Sequence, residues 1–239
     1  MFHNCTSLTS IPNLPATDVP YGAYCGMFER CTGITSANLP SATLNGMSYY
    51  IMFAGCTNLS SITVNFTNWS EGSNDTGSWV QGVASKGIFT KPLDLSAVYG
   101  DSRIPTNWEV KCTGYEVPED ALTFISHGRT FVALSKQGNP DNINAIYNIK
   151  NKITDKLIPD TYIELQDGDE LSIQNLSSNF NKDQDSYYHF SFGGEGNLDI
   201  KGNISSLISG NNTLSGWDFY MLFNGTAQII HADQLNLNY

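Results

Sequence analysis

Basic residues are scarce in this sequence. Only 12 Lys and Arg stand against 23 Asp and Glu among 239 residues, a net charge of −11. Nucleic-acid binders concentrate Lys and Arg, so this balance argues against a nucleic-acid partner, and it gives no attraction to an anionic membrane surface. No apolar run approaches the roughly 20 residues needed to span a bilayer, so membrane insertion is not expected. The opening Met1-Phe2-His3-Asn4-Cys5-Thr6 has neither a charged n-region nor a long apolar h-region, and no signal peptide is visible. Cys-x-x-Cys pairs and Cys/His clusters are missing, which argues against zinc. The five cysteines, an odd and sparse set, do not make a disulfide framework. Charged residues make up only 15% of the chain, while Ser, Thr, Asn and Gly abound. That composition suits a β-rich protein of the cell exterior, the cell surface or a virion.

What the chain does contain is an internal repeat. Met1-Phe2-His3-Asn4-Cys5-Thr6 returns as Met27-Phe28-Glu29-Arg30-Cys31-Thr32 and again as Met52-Phe53-Ala54-Gly55-Cys56-Thr57, at spacings of 26 and 25 residues. Leu8, Ile11 and Leu14 recur as Ile34, Ala37 and Leu39, then as Leu59, Ile62 and Val64. Each set reads as a short extended segment with its apolar side chains inward. The stretches 16–28 and 42–53 read as short helical returns. One such coil cannot bury both of its faces, so stacking must supply the core. Phe2, Phe28 and Phe53 are predicted to form one buried ladder, and Cys5, Cys31 and Cys56 a second ladder of inert thiols.

The Met-Phe-x-x-Cys-Thr-x-Leu-Thr-Ser-x-Pro-x-Leu-Pro pattern resembles the BspA-like leucine-rich repeats of surface proteins of gut Bacteroidales and their phages. The resemblance is specific over residues 1–64 and looser to about residue 110. It implies a leucine-rich-repeat solenoid and a non-catalytic adhesion or interaction role, without identifying a ligand.

Past the third repeat the pattern decays. Asn65–Gly77 reads as a loop, Trp79–Phe89 as a strand-like or short helical cap, and Leu93–Val110 as further capping structure. From Cys112 short apolar runs alternate with turn signals, which predicts an antiparallel β-sandwich-like domain. Its candidate strands are Leu122–Ser126, Phe131–Lys136, Ala145–Ile149, Tyr162–Leu165, Leu171–Asn175, Tyr188–Phe192 and Leu198–Gly202. Its candidate turns are Gly138–Asp141, the hairpin turn Gln166–Asp169, and Gly193–Gly196. Phe219–Thr226 then echoes Tyr49–Cys56. The expected organisation is a solenoid with its cap at 1–110, a β-domain at 111–213 and the start of a second repeat block at 214–239. The fold class is therefore mixed α/β and all-β. The chain reads as a piece of a longer array whose open repeat ends invite self-association.

No catalytic constellation converges, so an enzyme such as a glycan hydrolase is disfavoured. His3, His127, His189 and His231 are scattered, no Gly-x-Ser-x-Gly elbow is present, and Gly193-Gly194-Glu195-Gly196 lacks the Lys of a phosphate loop. Asp167 and Asp169 read as a solvated turn rather than an acid–base pair. Asn181, Asp183 and Asp185 have the ligand spacing of a calcium loop, but Ser186 stands where its Gly belongs and Phe192 where its Glu belongs. An acidic loop is the better reading, and no cofactor is expected. The Asn-x-Ser/Thr triplets follow from composition. Trp69, Trp79, Trp108, Tyr187, Tyr188 and Trp217 lie near loops or element ends, where exposed aromatics suit a sugar or a protein surface. The function expected is a surface or secreted module that binds a protein or glycan. A structural or receptor-binding part of a phage tail or virion is the alternative.

Overall fold

The computed structural model describes residues 1–40, 43–69, 74–177, 180–181, 183–208, 219, 221–223 and 228–237. They fall into two units, Met1–Tyr115 and Glu116–Tyr239. In the first unit the strands are β1 (Asp18–Val19), β2 (Ser36–Asn38), β3 (Thr43–Leu44), β4 (Ser61–Thr63), β5 (Ile88–Lys91) and β6 (Glu109–Cys112). Strands β2, β4, β5 and β6 lie side by side, all parallel, with Ala37, Ile62, Phe89 and Val110 in register. These four side chains are buried, so successive coils place one apolar row against the same core. The short β1 pairs with β3, also parallel.

The other side of each coil corrects the sequence reading. Among the described residues no α-helix forms there, and the leucine-rich-repeat solenoid with helical returns is not the fold adopted. The segment 20–31 is instead a ribbon of consecutive turns. The N–H groups of Ala23, Cys25, Met27, Glu29 and Cys31 donate to the carbonyl three residues earlier. Those of Gly22, Tyr24, Gly26, Phe28 and Arg30 point the other way and donate to Gly46, Ser48, Tyr50, Met52 and Ala54 of the next coil. An α-helix satisfies its amides within itself, whereas this ribbon hands every second amide to its neighbour. The alternation requires a left-handed residue at every fourth position: Gly22, Gly26 and Arg30 in one coil, Met47, Ile51 and Gly55 in the next, Ser78 and Gly82 in the one after. Glycine takes that conformation without steric cost. For Arg30, Met47, Ile51 and Ser78 it costs roughly 1–2 kcal/mol each, offset by the inter-coil bonds.

Three coils are evident in the sequence, but the ribbon shows a fourth. Phe53 and Gly55 donate to Trp79 and Gln81, and Val80 and Val83 stand where Phe and Cys stood before. The segment 78–82 is thus a repeat element and neither a strand nor a helical cap. The rings of Phe2, Phe28 and Phe53 stack at centroid distances of 5.6 and 5.8 Å. Cys31 and Cys56 are buried beside them, and their thiols donate to the carbonyls of Phe2 and Phe28, one coil back. Cys5 is exposed, so the buried thiol row expected at Cys5, Cys31 and Cys56 holds only for the last two. Close approach also fixes residue choice. A Cβ at Gly33 would lie 2.6 Å from the Thr6 carbonyl oxygen and 2.7 Å from that of Leu8.

The second unit holds β7 (Leu122–His127), β8 (Thr130–Gln137), β9 (Ala145–Ile149), β10 (Ile153–Leu157), β11 (Ile163–Leu165), β12 (Glu170–Asn175), β13 (Tyr187–Gly194), β14 (Asn197–Asn203) and β15 (Ile229–Asn236), with a 3-10 turn at Ile204–Leu207. One sheet runs β15-β14-β7-β12-β9-β10 and the other β11-β8-β13. Pairing is antiparallel except for β14 with β15, so the larger sheet is mixed and the wholly antiparallel expectation is corrected. The layers share one core, including Phe124, Leu171 and Ile173 from one sheet and Leu134, Tyr188 and Phe190 from the other. Consecutive strands mostly change sheet. The turn Gln166–Asp169, with Gly168 at φ +79, therefore joins the two layers rather than closing a hairpin. Ile229–Asn236 is the edge strand of the larger sheet, and of the segment echoing the repeat Tyr220 and residues 224–226 lie outside the described residues.

Phe28 has neighbours stacked on both faces, so Phe28→Ala should cost about 3–5 kcal/mol in denaturant unfolding, and Phe2→Ala, half-exposed on the first coil, less than half of that. Burial pushes the Cys31 thiol above its ordinary value and the Cys56 thiol up to about 12. Cys5 and Cys25 should accordingly react with a thiol reagent in the native state, while Cys31, Cys56 and Cys112 react only on unfolding. Equal rates at all five would contradict this stacking.

Candidate binding surface on the repeat unit

The loop leaving β4 and the loop following β5 together enclose a concavity of about 430 Å³. Thr67, Asn68 and Trp69 come from the first loop, and Asp94, Ser96, Val98 and Arg103 from the second. Tryptophan N–H groups hold these loops to the coils. Trp69 Nε1 donates to the Ser96 carbonyl at 2.8 Å, Trp79 Nε1 to the Arg103 carbonyl at 2.7 Å, and Trp108 Nε1 to the Ala84 carbonyl at 2.7 Å. The indoles of Trp69 and Trp79 bury their rings in the aromatic cluster with Phe66 and Phe89, and each of the three uses its one polar atom as a tether.

Arg103 is fixed in the same manner. Its guanidinium lies 5.3 Å from the centre of the Trp69 ring, and Nη1 donates to Thr76 Oγ1 at 3.0 Å and to the Ser102 carbonyl at 2.8 Å. Thr76 is buried and donates to the Ser102 carbonyl as well, while Ser102 Oγ accepts from the Ser78 amide. The arginine is thereby held by the ribbon of the fourth coil. The result is a rigid, half-buried cation among hydroxyl, amide and carboxylate groups.

The other sequence-singled residues are placed as follows. Trp79, Trp108 and Tyr188 are buried core residues, Tyr187 is half-buried on β13, and Trp217 lies outside the described residues. Asn181 is buried, accepting from the Tyr188 amide at 2.6 Å, and Asp183 accepts from the Asp185 amide at 2.9 Å. Both side chains thus serve the local backbone, and among the described residues no group of three or more His, Cys, Asp or Glu is arranged to hold a metal. Asp167 accepts from the Gly128 amide, and Asp169 pairs with Lys152 at 2.6 Å, so this carboxylate pair braces loops.

One constellation escaped the sequence reading. Asp199 on β14 receives His127 Nε2 from β7 and His231 Nδ1 from β15, each at 2.7 Å. Separations of 72 and 32 residues leave no local signal; only the register of β7, β14 and β15 brings the three together. The trio ties the edge strand to the sheet.

Comparison with protein-family models, curated proteins and solved structures yields no match to this chain.

Hydrogen bonding to His127, and next to His231, holds the Asp199 carboxyl below its ordinary range. A carboxyl lowered in the folded state stabilises the fold fully above its unfolded pKa, and that contribution fades as pH falls through the lower folded value. Asp199→Asn should therefore flatten the acid limb of the melting temperature below about pH 4. An unchanged limb would show that the two His–Asp contacts do not persist in solution.

Proposed function

We propose that this chain is a non-catalytic interaction module of the cell exterior, whose stacked coils present a polar concavity that recognises a saccharide. The observation that carries this reading is the tethered Arg103 on the Trp69 ring, facing a concavity lined by Thr67, Asn68, Asp94 and Ser96. Its hydroxyl, amide and carboxylate groups match a polyhydroxylated ligand better than an apolar peptide side chain. The low charge of the chain suits an extracellular or virion surface, and the sequence resemblance of the repeats to BspA-like surface proteins supports the same role.

The test is binding of the purified protein to an immobilised saccharide panel, with mass analysis of the bound sugars after prolonged incubation. Retention that falls on Asn68→Ala, with the sugars recovered intact, is the expected result. Cleaved sugars would indicate an enzyme instead, and binding indifferent to Asn68→Ala would place recognition elsewhere.

A further inference from the structure

Resting on that reading, we infer that the saccharide carries a single carboxylate, a uronic or sialic acid residue, and that Arg103 receives it. An arginine has five N–H donors in a rigid fork. Nη1 uses its two on Thr76 and Ser102, whereas Nε and Nη2 make no hydrogen bond among the described residues. Those donors lie parallel along one edge of the guanidinium, the edge that grips a carboxylate through two bonds at once. Anchoring through Nη1 and stacking on Trp69 fix the plane beforehand, so little side-chain freedom is lost on binding. A lysine would give charge without that planar edge.

The surroundings restrict the ligand further. Thr67, Asn68 and Ser96 supply hydroxyl and amide groups for sugar hydroxyls, and Val98 and the Trp69 edge supply a small apolar contact. Asp94 accepts hydroxyl protons but repels a second anion, and the chain as a whole carries −11. A polyanion such as a sulfated or phosphorylated polymer is therefore disfavoured, and one acid group among hydroxyls is favoured.

The experiment is calorimetric titration with two oligosaccharides of equal length, one ending in glucuronic acid and one in glucose, alongside a short acidic peptide. The wild-type protein should prefer the acid-terminated sugar by roughly tenfold or more, as a charge-assisted hydrogen bond warrants. Arg103→Gln should erase that preference, Arg103→Lys should reduce it several-fold, and Asn68→Ala should weaken both sugars alike. Melting curves verify that each variant folds, and the wild-type preference decides the matter even if one does not. Equal binding of the two sugars, or a preference that survives Arg103→Gln, overturns the assignment to Arg103 and leaves saccharide recognition standing. Binding of neither sugar overturns both, and a stronger response to the peptide overturns the ligand class.

Discussion

Half of the amides in each ribbon have no partner until the next coil is in place. Gly22, Tyr24, Gly26, Phe28 and Arg30 donate only to the following coil, and a buried amide left without an acceptor costs about 1–3 kcal/mol. The coils are therefore obliged to stack in one register. Everything else in the first unit follows from that register: the parallel pairing of β2, β4, β5 and β6, the phenylalanine stack, and the thiols of Cys31 and Cys56 bonded to carbonyls one coil back. The ribbon brings the polar main chain into contact, and the strands and rings fill the space it encloses.

The repeat was legible because Met-Phe-x-x-Cys-Thr recurs in residues that pack identically. Its secondary structure was not. Tyr24, Met27 and Phe28 fall at helical spacing, and the same spacing arises in a ribbon whose turn repeats every four residues. Glycine at 22, 26 and 55 hints at a left-handed position, but Arg30, Met47, Ile51 and Ser78 adopt it with no compositional sign, because neighbouring coils impose it. The fourth coil was hidden when Val80 and Val83 replaced the signature residues. In the second unit most strands were visible as alternating apolar runs, while β10 was missed, since Thr154, Asp155 and Lys156 break up its pattern. It forms the hairpin with β9, whereas the turn read as a hairpin, Gln166–Asp169, crosses between layers.

The candidate site was partly legible. Trp69 stood out as an aromatic beside a polar loop, but Arg103, 34 positions away, carried no signal. Their meeting depends on indole tethers that span about one coil each. The His127–Asp199–His231 trio had the same fate, being a product of strand order alone.

The left-handed positions also reveal where a coil is free to change length. Ten residues separate Gly26 from Ser36, Ile51 from Ser61 and Ser78 from Ile88, so the path from ribbon to strand is constant. The return from strand to ribbon is not: 15 residues separate Ser36 from Ile51 and 17 separate Ser61 from Ser78. A single residue added to the ribbon would exchange its inward and outward amides and undo the stack, while residues added on the return path leave the alternation of the ribbon's own inter-coil amides intact. The two extra residues of the fourth coil fall on that path, the same stretch that carries Thr67, Asn68 and Trp69. Tolerance and recognition thus share one loop, which allows the shape of the concavity to diversify by insertion while the coils beneath it stay unchanged.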